Sequence, residues 1–178
     1  MGRRFLRTCC ALAALGLALS AASAGAATPE AEVKAAYLYK LASFVRWPPT
    51  PQPQATFRLC VAGRSDIATV LRSLTRGQQI DGRPLTVEVI GAAQASRASG
   101  CRVLYLGRGA ETARTLIGAT EGAPVLTVGD RDAGTAGGVI DFVLKSEKVR
   151  FAANLKRAKA RRLDLSAKLL DVAAEVTR

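Results

Sequence analysis

The chain has 178 residues, with 26 basic against 14 acidic side chains, a net charge of +12, 4 cysteines and no histidine. The missing histidine removes Ser-His and Cys-His nucleophile pairs and the commonest transition-metal ligand, so most hydrolase and metalloenzyme chemistries lose their usual parts. Only 5% of residues are aromatic, too few for a base-stacking platform, which argues against nucleic acid as the partner of this positive charge.

At the amino terminus Arg3, Arg4 and Arg7 precede an apolar run from Cys9 to Leu19, followed by small residues. That is the order of a secretory signal peptide. The run is about a dozen residues, whereas a bilayer core takes roughly 20. Cleavage fits after Ala24 or Ala26, so residues 1–26 are expected to be a leader and 27–178 a single mature domain exported to the periplasm. The leader takes Cys9, Cys10 and three arginines with it, leaving 23 basic against 14 acidic residues, a charge of +9. A solvated basic surface is the first expectation from this charge and an acidic partner the second. In an oxidising compartment the remaining pair, Cys60 and Cys101, reads as a disulfide. It would close a loop of about 42 residues, worth roughly 4 kcal/mol at most by chain entropy.

The first element of the mature chain runs from Pro29 towards Trp47. Thr28 is its candidate cap, and Pro29 stands at the first helical position, where a missing N–H costs nothing. Val33, Ala36, Tyr37, Lys40, Leu41 and Phe44 recur at three- and four-residue spacings, the pattern of one face of an amphipathic helix. The helix is expected to stop by Arg46 or Trp47, because Pro48, Pro49, Pro51 and Pro53 make a connector that cannot continue it.

Short β-type runs then alternate with helical patterns: Phe57–Ala62, a helix near Asp66–Leu74, Leu85–Ile90, Val103–Leu106, a helix near Ala110–Ile117, and Val125–Val128. Such alternation predicts an α/β domain with a largely parallel sheet. After Gly137 and Gly138, the runs Val139–Leu144 and Lys148–Ala153 flank Lys145, Ser146 and Glu147 as a hairpin. The tail from Asn154 to Val176 has a helical pattern broken near Leu163, with a final helix over Ser166–Val176 expected to pack on the sheet.

Candidate sites follow from this layout. Gly107-Arg108-Gly109 lies between a strand and a helix, where a dinucleotide loop would sit. Thr112 occupies the place of the third glycine, however, and Glu111 puts negative charge in the first turn. No cofactor or metal is expected, and the acidic residues show no spacing that marks a catalytic pair. Arg64, Arg108 and Arg131 each follow a glycine-terminated strand. If those strands are parallel, the three share the carboxyl edge of the sheet, where open α/β folds bind ligands. Neighbouring Asp66, Glu111, Asp130 and Asp132 are available to pair with them at the surface. Partner contact is expected from aromatics off the helical stripe, Tyr39 and Trp47. It is also expected from the basic cluster Lys156, Arg157, Lys159, Arg161 and Arg162, read as a solvated helix face able to dock an acidic partner or an anionic membrane.

The run Val33-Lys34-Ala35-Ala36-Tyr37-Leu38-Tyr39-Lys40-Leu41-Ala42-Ser43-Phe44-Val45-Arg46-Trp47-Pro48 resembles the opening of the YfiR family of periplasmic proteins, whose first helix also ends in a Trp-Pro pair. The resemblance continues in order through Phe57–Gly63, Cys101–Gly107, Pro124–Val128, Gly137–Val143, Val149–Asn154 and Leu163–Leu170. It implies an α/β fold, a homodimer, and repression of a membrane-bound diguanylate cyclase of the YfiN type by contact with its periplasmic sensor portion. A disulfide would support the active repressor, and reducing stress would relieve repression. Phe151-Ala152-Ala153-Asn154 departs from the family's Phe-Glu-Ile-Asn-like run. A second cysteine pair found in some members is missing, so any redox switch rests on Cys60 and Cys101. The chain is therefore expected to be a regulatory binding protein and not an enzyme. The alternative is a periplasmic small-ligand sensor that uses the arginine edge.

Overall fold

A computed structural model describes residues 27–49 and 55–178; the expected leader with its two candidate cleavage sites, and Pro51 and Pro53, lie outside the described residues. Helix α1 (Pro29–Ser43) begins as the sequence dictates. The Thr28 hydroxyl accepts from the Ala31 N–H at 3.2 Å, and Pro29 occupies the first turn. The helix ends at Ser43, earlier than expected. Val45–Arg46 instead form a short strand, β1, antiparallel to β9 (Asp164–Leu165). Backbone groups that a longer helix would have bonded internally are bonded to the C-terminal segment.

The main sheet is built from β2 (Phe57–Ala62), β3 (Gln79–Ile80), β4 (Arg83–Val89), β5 (Val103–Leu106), β6 (Leu126–Asp130), β7 (Ile140–Lys145), β8 (Lys148–Asn154) and β10 (Glu175–Thr177). Their spatial order is β10-β8-β7-β6-β5-β2-β4-β3. Strands β4, β2, β5, β6 and β7 are mutually parallel, as alternation with helices predicts. Helices α2 (Ser65–Thr75) and α3 (Ala110–Gly118) and a 3-10 segment (Ala92–Gly100) make the crossovers. Strands β7 and β8 form the expected hairpin, with Ser146 and Glu147 both at positive φ, 48° and 59°. This is the backbone twist that two-residue hairpin loops favour.

Period-two alternation divides the strand side chains between two cores. Phe57, Leu59 and Val61 of β2 and Val103 and Tyr105 of β5 face the larger core, beneath α1 and α2; Cys60, Ala62, Leu104 and Leu106 face the smaller one, beneath α3 and the 3-10 segment. Because both faces are covered, β2 and β5 read as nearly continuous apolar runs.

Two expectations are corrected. First, α1 is rotated by about one residue from the expected stripe. It buries Ala31, Lys34, Ala35, Leu38, Leu41 and Ala42 and leaves Ala36 and Lys40 exposed, with Val33 42% and Phe44 38% exposed. The helix is apolar around most of its circumference, so periodicity alone did not select the arc. Packing against α2 and the sheet favours the alanine-rich face, which permits close approach. Second, the tail is not a final helix over Ser166–Val176. Helix α4 (Leu155–Ala160) ends where Arg162 turns to φ 56°, and α5 spans only Ala167–Asp171. The chain then returns as β10, parallel to β8. The outer edge of β8 offers backbone partners, and the Ala174 N–H donates to the Phe151 carbonyl at 2.8 Å. This tertiary pairing outweighs a weak helical pattern in a segment that includes Val176 and Thr177.

Candidate functional site

Strands β2, β5 and β6 end together, and the chain that leaves them places Arg64, Arg108 and Arg131 at one carboxyl edge, as their spacing predicted. The approach is close. Gly63 has φ +73°, and a Cβ there would lie 2.5 Å from the carbonyl oxygen of Arg108. The three arginines nevertheless have different surroundings. Arg64 is buried and forks onto Asp66, with Nε and Nη2 at 2.9 and 2.8 Å, while its Nη1 lies 3.6 Å from Glu30. The hydrogen bonds that Arg64 donates to Asp66 raise the guanidinium pKa further, and the same bonds hold the Asp66 carboxyl below its usual range. Arg131 turns to Glu175 at 2.7 Å, tying the edge to β10. Arg108 is exposed and makes no ion pair among the described residues.

At the centre of this edge is a polar cluster that sequence reasoning missed. Asp130, expected at the surface beside Arg131, is 0% exposed. Its Oδ2 accepts from Lys34 Nζ at 2.5 Å and from the Tyr105 hydroxyl at 2.9 Å. Lys34, itself buried, also reaches Glu30 at 2.5 Å, and that hydrogen bond lowers the Glu30 pKa. Burial, followed by the Asp130 charge, pushes the Tyr105 phenol upward. A signal was present. Tyr105 is the one polar-tipped residue in the apolar run Val103–Leu106, and a buried Tyr hydroxyl needs a partner.

Glu30, Lys34, Arg64, Arg108, Asp130 and Asp132 line a cleft of about 240 Å³ at the strand ends. An adjoining groove of about 520 Å³ shares Glu30, Lys34 and Asp132 and is walled by Val33, Val143, Leu144 and Val149.

The basic cluster divides. Lys156, Arg157, Lys159 and Arg162 are exposed, although Arg157 Nη1 reaches the Gly138 carbonyl at 3.2 Å. Arg161 is not part of a solvated face. It is buried, and its Nη1 donates to the carbonyl and hydroxyl of Thr120 at 2.6 and 2.8 Å. Burial lowers its pKa, and nearby Glu121 offsets part of the effect. Arg161 therefore anchors α4 to the turn after α3. Of the aromatics, Trp47 stacks edge-on against Phe57, with centroids 5.2 Å apart, and the Tyr39 hydroxyl reaches Gln78. Both are half-buried and pack partly against the larger core. The structure does not bring Tyr39, Trp47, Lys156 and Arg157 into one cluster with the arginine edge: Arg157 contacts the chain just before β7, at the opposite, amino-terminal end of the parallel strands.

Cys60 and Cys101 form a disulfide, with Cα atoms 5.9 Å apart. Cys60 lies within β2, opposite Leu104, and Cys101 two residues before β5, so the bridge ties β2 to the chain that enters its parallel neighbour. Both are buried in the smaller core, at 1% and 2% exposure. Among the described residues there is no group of three or more Cys, Asp or Glu that could hold a metal, and no helix is long and apolar enough to cross a membrane.

The largely parallel sheet covered on both faces defines an α/β domain. A family model described as YfiR/HmsC-like matches residues 31–174. The chain belongs to the YfiR/HmsC-like family, whose members are regulatory proteins. Among solved structures, it is similar to a conserved domain protein from Vibrio cholerae O1 biovar El Tor (10% identity, TM-score 0.57, covering 83% of this chain). It is also similar to an ABC domain from Streptococcus pneumonia in complex with L-Trp (11% identity, TM-score 0.53, covering 82%). This chain spans 60% of the length of each, and at these identities the likeness is one of fold. No curated protein sequence matches significantly.

Proposed function

We propose that this protein is a periplasmic repressor that lowers cyclic di-GMP signalling by binding the periplasmic sensor portion of a membrane-bound diguanylate cyclase. The observation that carries this reading is membership of the YfiR/HmsC-like family over residues 31–174. The protein acts as a homodimer and by contact, without chemistry of its own. Its leader directs it to the periplasm, where the Cys60–Cys101 bridge supports the active form. Both sulfurs are buried, so reductive release of repression first requires the smaller core to open.

The contact surface is assigned to the exposed part of the basic segment, Lys156 and Arg157, with Tyr39 and Trp47 as secondary candidates. Exposed charges steer association through an ionic-strength-dependent field. In cells carrying the matching cyclase, the wild-type chain is expected to lower cyclic di-GMP and biofilm. The Lys156→Glu/Arg157→Glu variant is expected to release both, through a slower on-rate that is most evident at low salt. An unchanged cyclic di-GMP level on deleting the whole protein would sink the reading. A folded double variant that represses normally would move the contact to the aromatic end of α1.

A further inference from the structure

Strand β8 is longer than the strand that covers its outer edge. Strand β10 pairs only with Ala152, Ala153 and Asn154, so Lys148–Phe151 lie at an open edge of the sheet. Along a paired strand, residues alternate between those that bond to one neighbour and those that face the other way. The Asn154 N–H donates to the Val139 carbonyl on the β7 side, which turns Val149 and Phe151 outward. The Phe151 carbonyl accepts from the Ala174 N–H, but the Val149 N–H and carbonyl and the Phe151 N–H have no hydrogen-bond partner among the described residues.

Such an edge is a template for another strand, and the charges beside it select which. Lys148 and Arg150 are exposed, project from the same face of β8, and make no ion pair among the described residues, whereas Lys145 on β7 is held by Glu175 at 3.0 Å. With Val172, 63% exposed, these three basic residues line a groove of about 520 Å³ beside the edge. Glu147, at the hairpin turn, lines the groove on the α1 side instead. A second copy of this chain fits poorly. Antiparallel pairing of two β8 edges about Val149 would set Lys148 of each copy directly opposite Arg150 of the other, and like charges so placed destabilise a sheet.

We infer that the open edge of β8 takes up an extended, acidic segment of a protein partner as an added strand. Its backbone bonds to Val149 and Phe151, and its carboxylates lie over Lys148 and Arg150. Main-chain bonds supply affinity in this mode, and the alternate side chains supply specificity. The surface is at the hairpin end of β8, whereas Lys156 and Arg157 follow its other end. The inference therefore goes beyond the repression proposed above and does not require a cyclase as the partner.

Nuclear magnetic resonance titration of the labelled protein tests it, with the blocked peptide Glu-Val-Glu-Val-Glu, its Lys-Val-Lys-Val-Lys counterpart, and the acidic peptide N-methylated at both valines. Saturable shifts of the Val149 and Phe151 amides and slower exchange of their protons are expected with the acidic peptide. The basic and the methylated peptides should each bind at least about tenfold more weakly, the equivalent of 1.4 kcal/mol. Lys148→Glu/Arg150→Glu changes exposed side chains and should leave the melting temperature unmoved while reversing the preference between the acidic and basic peptides. No binding of the acidic peptide at millimolar concentration would overturn the inference. Equal binding of the methylated peptide would overturn it too, by showing attraction of charge without an added strand. Retention on phosphatidylglycerol vesicles that the double variant loses and the acidic peptide does not compete would overturn it in favour of a membrane surface.

Discussion

The two faces of the sheet are stabilised by different means. The face beneath α1 and α2 buries the core aromatics, including Phe57, Tyr105, Phe142 and Phe151, whereas the face beneath α3 and the 3-10 segment has none and is built from alanine, leucine, isoleucine, valine and the two cysteines. Aromatic side chains bury the most area per residue. The first face can thus hold itself together by packing, while the second, with less apolar area, gains from a covalent staple between β2 and the entry to β5. A disulfide need not be a switch. Here it lies in the smaller, aromatic-free core.

Truncation should expose the contrast most strongly. Phe142 packs against Tyr37 and Tyr105, with centroids 5.9 and 5.8 Å away. Phe142→Ala is expected to lower stability by about 3–5 kcal/mol in urea denaturation, and a loss under about 1 kcal/mol would show that the aromatic face is not the stronger one. Removing the staple comes next. Cys60→Ala/Cys101→Ala should cost about 2–4 kcal/mol, and native-state hydrogen exchange should quicken in β4, residues 92–100 and α3 while α1 and β8 keep their protection. Uniform quickening would mean that the two faces do not open separately.

Smaller effects test how the elements around the faces are tied down. Arg161→Met removes the donors to Thr120 that join α4 to the end of α3. It should cost about 1–3 kcal/mol, because buried acceptors lose their partner. A pH effect follows from Glu30 and Asp66, whose folded pKa values lie below the ordinary 4.5 and 3.8 because of Lys34 and Arg64. The unfolded chain takes up protons first as pH falls, so the stabilisation is present at neutral pH and is lost on acidification below about pH 4.5, through the folded values. Solvent exposure of both carboxylates keeps the change small, and Glu30→Gln/Asp66→Asn should flatten the acid limb of a stability profile. Least of all, Lys156→Glu/Arg157→Glu should stay within about 0.5 kcal/mol of wild type in the same denaturation assay, because both side chains are exposed.

Much of this organisation is written locally. The cap at Thr28 with Pro29, the apolar runs of β2 and β5, the glycine-terminated strand ends and the Ser146-Glu147 turn are each settled by residues within a few positions of one another, and the expected elements stand where the pattern put them. The Cys60–Cys101 pairing was accessible too, since only two cysteines follow the expected leader. Other features depended on contacts distant in the chain. Which arc of α1 is buried was decided by α2 and by the charge of Asp130, 96 residues from Lys34. The end of the chain became a strand because β8 offered an open edge, and Arg161 is buried because Thr120 lies beneath it. Local pattern specifies a helix or a strand through propensity and periodicity. The pairing of a buried charge, or the filling of a sheet edge, depends on groups that become neighbours only when the whole chain has folded.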